Sequence, residues 1–190
     1  MTTEALIRAI SRGERSSFEQ LYKNMQRPML AYASGLLAGD RAAAEDAVDD
    51  AFLDIWKGAA GYTGSGSAEG WIRRIVRNKA IDWVRRQKHN RYGEWSDACE
   101  ELADNAPNPE TIAMGADAAA WLRRSLANLS VEQREALILC YFEDRSLAEI
   151  ADIMECPENT VKTRLFHARA KLRGLSFEAT PTVASFNASA

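Results

Sequence analysis

The sequence predicts an all-α fold of two small helical domains joined by a flexible acidic linker, and three observations carry that expectation. Apolar residues recur at spacings of three and four rather than two, and strand-forming runs are sparse among the abundant Ala, Leu, Glu, Arg and Asp. Two stretches, Ser130-Val131-Glu132-Gln133 and Ser146-Leu147-Ala148-Glu149, have the Ser-x-x-Gln/Glu form of a helix capping box. Charge is sorted along the chain: 13 of the 24 Lys and Arg residues lie in Trp71–Arg91 and Thr160–Arg173, whereas Glu94–Asp117 holds seven carboxylates and no Lys or Arg. The shift after Arg91 divides the chain into a domain over 1–92, an acidic linker over 93–117, a domain over 118–174 and a flexible tail over 175–190. Each domain is near the lower size limit for independent folding.

A first helix is expected over Thr3–Ile10, with a break at Gly13. The next carries the apolar stripe Phe18, Leu21, Tyr22, Met25, Met29, Tyr32 and Ala33, and Pro28 is expected to kink it. Asp40 opens a helix through Trp56, with Ala44, Val48, Ala51, Phe52 and Ile55 on one side and carboxylates mostly on the other. Five glycines in Gly58–Gly70 demand a loop. Helix resumes from Trp71 to about Arg86, packing through Ile72, Ile75, Val76, Ala80, Trp83 and Val84. Pro107-Asn108-Pro109 ends the acidic spacer. Further helices are expected over Thr111–Leu126, Val131–Tyr141, Leu147–Met154 and Pro157–Arg173, the last with Pro157 in its first turn, and a mobile tail follows from Leu175.

Composition excludes several classes of function. No apolar run approaches the roughly 20 residues that span a bilayer, and Met1–Arg15 carries charges where a signal peptide needs an apolar centre, so a cytoplasmic protein without membrane insertion is expected. Cys99, Cys140 and Cys156 are odd in number and lack CxxC spacing, and only His89 and His167 accompany them, which argues against a metal site. Cys140 is expected to be a buried small hydrophobe, with a reactive thiol at Cys99 the alternative use of a cysteine here. No paired catalytic carboxylates and no nucleophile–His set stand out, so neither an enzyme nor a cofactor is expected.

Leu147–Met154, a short turn and Pro157–Arg173 have the proportions of a helix-turn-helix. With Val161, Leu165, Ala168 and Leu172 facing the core, Lys162, Thr163, Phe166, His167 and Arg169 must face outward. An outward Phe166 suits a thymine methyl, and His167 a phosphate or solvent. In the first half, Arg73, Arg74, Arg77, Arg85, Arg86 and Lys88 surround a helix preceded by a Gly/Ser loop bearing Tyr62. Aromatic and guanidinium planes beside a pliable loop suit extruded bases, and Asn78 can pair with a base edge. The helix Asp40–Trp56 would be repelled by DNA. Its carboxylates beside Phe52, Ile55 and Trp56 fit either docking on a basic protein surface or a solvated face over buried aromatics.

These residues together resemble the extracytoplasmic-function (group IV) sigma factors of bacterial RNA polymerase. Ala44–Trp56 resembles the family's polymerase-binding helix, Trp71–Arg86 its minus-ten recognition helix, and Leu129–Ala136 with Thr160–Arg169 its minus-thirty-five domain. The resemblance implies a σ2 domain, a linker and a σ4 domain, forming a monomer when free. Implied partners are core polymerase, through the β′ coiled coil and β flap, promoter DNA and an anti-sigma factor. Asp46, Asp49, Asp50, Phe52, Ile55 and Trp56 would bind core. Tyr62, Arg73, Arg74, Arg77, Asn78, Arg85, Arg86 and Lys88 would serve the minus-ten element. Asn159, Thr160, Lys162, Thr163, Arg164, Phe166, His167 and Arg169 would serve the minus-thirty-five element. The chain departs from the family pattern at Asp49-Asp50, where Gln-Glu is frequent, at Arg73, where an aromatic is common, and at Glu155 and Pro157 in the turn. A sigma mimic that occupies an anti-sigma factor and a conventional helix-turn-helix regulator are the alternatives.

Overall fold

The computed structural model describes residues 1–64, 66–92 and 123–178, for side chains as far as Gln87 and Gly174. Helices are α1 (Thr3–Ile10), α2 (Arg15–Leu36), α3 (Arg41–Gly58), α4 (Ala68–Tyr92), α5 (described over 123–127), α6 (Val131–Leu137), α7 (Leu147–Met154) and α8 (Glu158–Glu178), and the described residues contain no strand. The acidic linker 93–117, most of the helix expected over Thr111–Leu126, Cys99 and the tail from residue 179 lie outside the described residues.

The first domain packs α1, α2, α3 and α4 around Leu6, Ile7, Leu21, Met29, Tyr32, Leu36, Phe52, Ile55 and Ile72. The second packs α6, α7 and α8 around Leu139, Ile150, Ile153, Val161, Leu165 and Ala168. Its helix starts are set as the capping boxes require. Ser130 Oγ accepts from Gln133 N at 3.3 Å while Gln133 Oε1 accepts from Ser130 N at 3.2 Å, and Ser146 and Glu149 repeat the arrangement at 3.3 and 2.9 Å. In the first domain Asp40 caps α3 by accepting from Ala43 N at 3.0 Å.

Several boundaries differ from expectation. Helix α2 holds Pro28 inside its single span Arg15–Leu36, where packing of its stripe outweighs one missing backbone donor. Helix α4 begins at Ala68 and continues to Tyr92, so the glycine loop shrinks to the stretch after the short 3-10 turn Ala59–Gly61. Pro157 stands before α8 rather than in its first turn, its carbonyl accepting from Thr160 N and Val161 N, and α8 continues to Glu178. Glu155 closes α7 in the left-handed conformation (φ 50°, ψ 46°), with Cys156 N donating back to Ala151 O at 3.1 Å. A non-glycine residue there costs about 1–2 kcal/mol. Helix α6 ends in a π turn, Ile138–Phe142, closed by Glu143 N donating to Ile138 O at 3.1 Å. The wider turn leaves Cys140 only half-buried, not buried as expected, and swings Tyr141 and Phe142 into solvent at 57% and 68% exposure.

The two domains rest against each other, α2 on α6 and α4 on α7, and their cores merge. Two glycines permit this approach. A Cβ on Gly35 would lie 2.6 Å from Ile138 Cδ1. Gly39, at φ +87° in the turn after α2, sits where a Cβ would meet Arg123 Cδ at 2.7 Å.

Replacing the cap Ser146→Ala should destabilise the second domain by about 1 kcal/mol in urea unfolding. Glu149 accepts from the Ser146 backbone N–H, the Ser146 hydroxyl and Arg145, which lower its carboxyl from 4.5 to about 2. A depressed carboxylate contributes stability above its unfolded value that is lost as pH falls through the folded one. Stability measured from pH 4.5 down to about 2 should therefore decline more steeply in the parent protein than in Glu149→Gln.

Candidate functional site

Helix α3 presents a carboxylate face. Asp46, Asp49, Asp50 and Asp54 are exposed, with Leu53 and Trp56 beside them at 53% and 38% exposure. Phe52 and Ile55, expected among the docking residues, are instead buried: Phe52 sits edge-on to Tyr22 at 4.8 Å between ring centroids, and Ile55 is wholly enclosed. The helical period that puts Ala44, Val48 and Ala51 in the core puts these two there also. Trp56 packs edge-on against Phe18 at 5.3 Å, which fixes its ring on the rim of the acidic face. Tyr22 Oη lies 3.2 Å from Asp49 Oδ1, and burial together with that carboxylate raises the phenol above its ordinary value. Next to it, a groove of about 340 Å³ runs between α2 and α3, lined by Gln26, Arg27, Leu30, Arg41, Glu45, Val48 and Asp49. The charged residues of this groove balance, with Arg27 and Arg41 against Glu45 and Asp49, and Arg41 Nε lies 2.8 Å from Glu45 Oε1.

Helix α4 divides its described basic residues into three groups, one of them Lys79 alone, whose Nζ lies 2.6 Å from Asp54 Oδ2 on α3. Arg85 and Arg86 face solvent, as does Asn78. Tyr62, from the glycine loop, lies against Trp71 at 5.3 Å between centroids, so loop and helix form one aromatic corner. Arg73, Arg74 and Arg77 are spent on the second domain. Arg77 Nε donates to Glu135 Oε2 at 2.8 Å, and Tyr32 Oη donates to Glu135 Oε1 at 2.8 Å. Glu135 is fully buried. Burial pushes its carboxyl up against the opposing pull of Arg77, and burial with the neighbouring Glu135 drives Tyr32 well above the usual phenol range. Arg73, 6% exposed, has Nε 2.7 Å from Glu143 Oε2, a charge contact whose N–H is not aligned on the oxygen, and Nη1 3.4 Å from Glu69. Arg74 donates to the Asp152 carbonyl at 3.0 Å and lies 3.3 Å from Glu155 Oε1. Arg145 returns the exchange, 3.1 Å from Glu69. Spacing of four along α4 made the Arg73 and Arg77 register legible in the sequence; their carboxylate partners in the second domain, Glu143 and Glu135, lie 58 or more residues away and were not.

Helix α8 buries Val161, Leu165 and Ala168 and turns Lys162, Thr163, Phe166, His167 and Arg169 outward. Phe166 is 64% exposed, with His167 edge-on at 5.6 Å. Asn159 is exposed, its carbonyl accepting from Thr163 Oγ1 at 2.9 Å, and Thr160 is half-buried. Arg164 lies half-buried with Nη1 3.4 Å from Cys156 Sγ, which ties it to the turn. Arg169 stands over the Tyr141 ring at 5.4 Å. The sequence reading missed the exposed pair Tyr141 and Phe142, since a run of apolar residues gives no sign of a π turn. Among the described residues no group of three or more His, Cys, Asp or Glu is placed to hold a metal ion, and no helix is long and apolar enough to cross a membrane.

The models for sigma-70 region 2 and sigma-70 region 4 match residues 21–90 and 119–172, one in each helical domain. The ECF RNA polymerase sigma factor SigM of Mycobacterium tuberculosis is 32% identical over 172 residues, 90% of this chain and 82% of that protein. The chain is a sigma factor of the extracytoplasmic-function class. It is also 26% identical to the ECF RNA polymerase sigma-E factor of Escherichia coli, across 89% of this chain and 91% of that one. In fold it is similar to CnrH, solved with the cytosolic domain of CnrY (TM-score 0.68, 21% identity, 94% of this chain and 99% of that one). It is similar in the same sense to the sigma factor RpoE of Bartonella quintana, solved with the anti-sigma factor NepR (TM-score 0.63, 24% identity, 86% and 98%). This sigma factor is a transcription initiation factor that directs RNA polymerase to promoters, and its partners are the core enzyme and promoter DNA.

Because Phe52 is buried and Asp50 exposed, the two should separate packing from docking. Phe52→Ala should cost about 3–5 kcal/mol in urea unfolding. Asp50→Asn should stay within about 0.5 kcal/mol of the parent.

Proposed function

We propose that the first domain docks on the β′ coiled coil of core polymerase through the α3 face and reads the minus-ten element through Tyr62 and α4, while the second domain engages the β flap and reads the minus-thirty-five element through α8. The α8 surface carries this reading: a buried Val161, Leu165 and Ala168 stripe turns Lys162, Thr163, Phe166 and Arg169 outward and presents them as a set. Phosphate contacts fall to the outlying cations and base contacts to Lys162, Thr163 and Phe166. On α4, Asn78, Arg85 and Arg86 are open to DNA in the arrangement described, and Lys88 is assigned to the same element by its place in the sequence. The protein is non-catalytic, needs no cofactor and works in the cytoplasm, where the polymerase is. An anti-sigma partner is part of the same reading, supported by the two structural neighbours, each solved with a second protein. The intact basic set on α8 favours promoter reading over a mimic that merely occupies an anti-sigma factor.

Incubating the protein with bacterial core polymerase and a genomic promoter pool, then sequencing the transcripts, should yield start sites preceded by two spaced elements. Transcripts lacking shared elements would remove the promoter-reading role. Lys162→Ala or Phe166→Ala should relax selectivity at the minus-thirty-five element, each by about 1–3 kcal/mol. Equal losses on specific and random promoters would reassign these residues to phosphate contact. Asp50→Arg with Trp56→Ala should abolish core binding in pull-down while leaving far-ultraviolet circular dichroism unchanged; full retention of binding would place docking elsewhere.

A further inference from the structure

Tyr141 stands where the helical period would not put it. Arg134, Leu137 and Ile138, the residues seven, four and three before it, are all buried, and an α-helical continuation of α6 would seat the tyrosine among them. The π turn Ile138–Phe142 winds it out instead and leaves the ring 57% exposed. Turns of this kind recur at functional positions, and a large aromatic held in solvent contributes no burial to the fold. The ring has a partner on α8: Arg169 stands over it, with Cζ 5.4 Å from the centroid. Arg169 is exposed and, among the described residues, has no carboxylate beside it, unlike Arg73, Arg74, Arg77 and Arg85. Lys162, Phe166 and Arg169 follow one another at spacings of four and three, so they share one face of α8. Base edges are met by the N-terminal part of such a helix, and Arg169 lies about 10 Å beyond Lys162 along the axis, where the helix passes the sugar-phosphate backbone.

We propose that Tyr141 is a positioning residue of the minus-thirty-five surface: its ring holds the Arg169 guanidinium at the end of that row, where it clamps one promoter phosphate and fixes the register in which Lys162 and Phe166 meet the bases. The inference rests on the assignment of α8 to the minus-thirty-five element. The geometry suits the task. A cation–π contact holds the guanidinium through its charge and uses none of its five N–H donors, which stay available to a phosphate. A long side chain anchored in this way gives up less rotamer freedom on binding than one loose in water. Phosphate contacts position a protein on the duplex while base contacts specify the sequence, so a fixed Arg169 serves the readout made by its neighbours.

The test uses holoenzyme, assembled from bacterial core polymerase and the full chain, on a duplex promoter fragment recovered by transcript sequencing. Parent, Tyr141→Leu, Tyr141→Phe, Phe142→Leu, Arg169→Ala and the double variant Tyr141→Leu with Arg169→Ala are compared by fluorescence anisotropy over a range of salt, with urea unfolding to verify that each variant folds. Phe142, the other exposed aromatic of the π turn, controls for disturbance of the turn itself. Arg169→Ala should weaken binding about tenfold and make the slope of log K against log salt shallower by about 0.9, the mark of one lost phosphate contact. Tyr141→Leu should weaken binding about two- to fivefold. Tyr141→Phe, which keeps the ring, and Phe142→Leu should match the parent. In the Arg169→Ala background Tyr141→Leu should cost nothing further, because the ring acts only through that cation. No loss in Tyr141→Leu, a loss shared by Tyr141→Phe or Phe142→Leu, or losses that add in full in the double variant would overturn the positioning role. Lys162→Ala separates the two layers. If it relaxes selectivity while Arg169→Ala changes nothing, α8 still reads the element and only the clamp is wrong; if neither variant matters, the α8 assignment fails and the inference fails with it.

Discussion

Glu135 lies in the second domain, is shut off from water, and has its charge met by Arg77 and Tyr32, both supplied by the first. A carboxylate so placed has no stable isolated alternative within the closed molecule, because an unpaired buried charge costs several kcal/mol. The two domains therefore sit together only in the register that delivers both donors. That requirement positions α6 on α2, brings Ile138 over Gly35 and lays α7 along α4. Once α7 is there, Asp152 and Glu155 fall within reach of Arg74, and Glu143, from the end of the π turn, reaches Arg73.

The segregation of charge along the chain acquires a second meaning in this light. Basic residues on α4 and α8 and acidic residues on α3 give the molecule surfaces of opposite sign, which matches the proposed division between DNA and polymerase. The carboxylates of the second domain work within the molecule as well. Lys162 and Arg169 of α8 are exposed to solvent while Glu135 of α6 and Asp152 of α7 meet Arg77 and Arg74 of α4.

Local chemistry carried much of this into view before any tertiary contact was known. Both capping boxes form as Ser130 and Ser146 require, since each depends on residues three apart. The outward set on α8 follows from Val161, Leu165 and Ala168 at helical spacing. Phe52 and Ile55, grouped with the docking residues by resemblance, lie in the core, where the helical period they share with Ala44, Val48 and Ala51 puts them. Tyr141 and Phe142 escaped notice because a π turn changes the period within a run of apolar residues that gives no sign of it.

By itself the sequence determined the helices, their caps, the two-domain order and the family, because hydrogen bonds three or four residues apart and apolar stripes are written locally. It also determined which helices are basic and which acidic. Only the tertiary structure decided which basic side chains are free. Arg77 and Arg85 are the same residue on the same helix, and the difference between them is a carboxylate 58 positions away, brought within 2.8 Å by packing that no local pattern encodes.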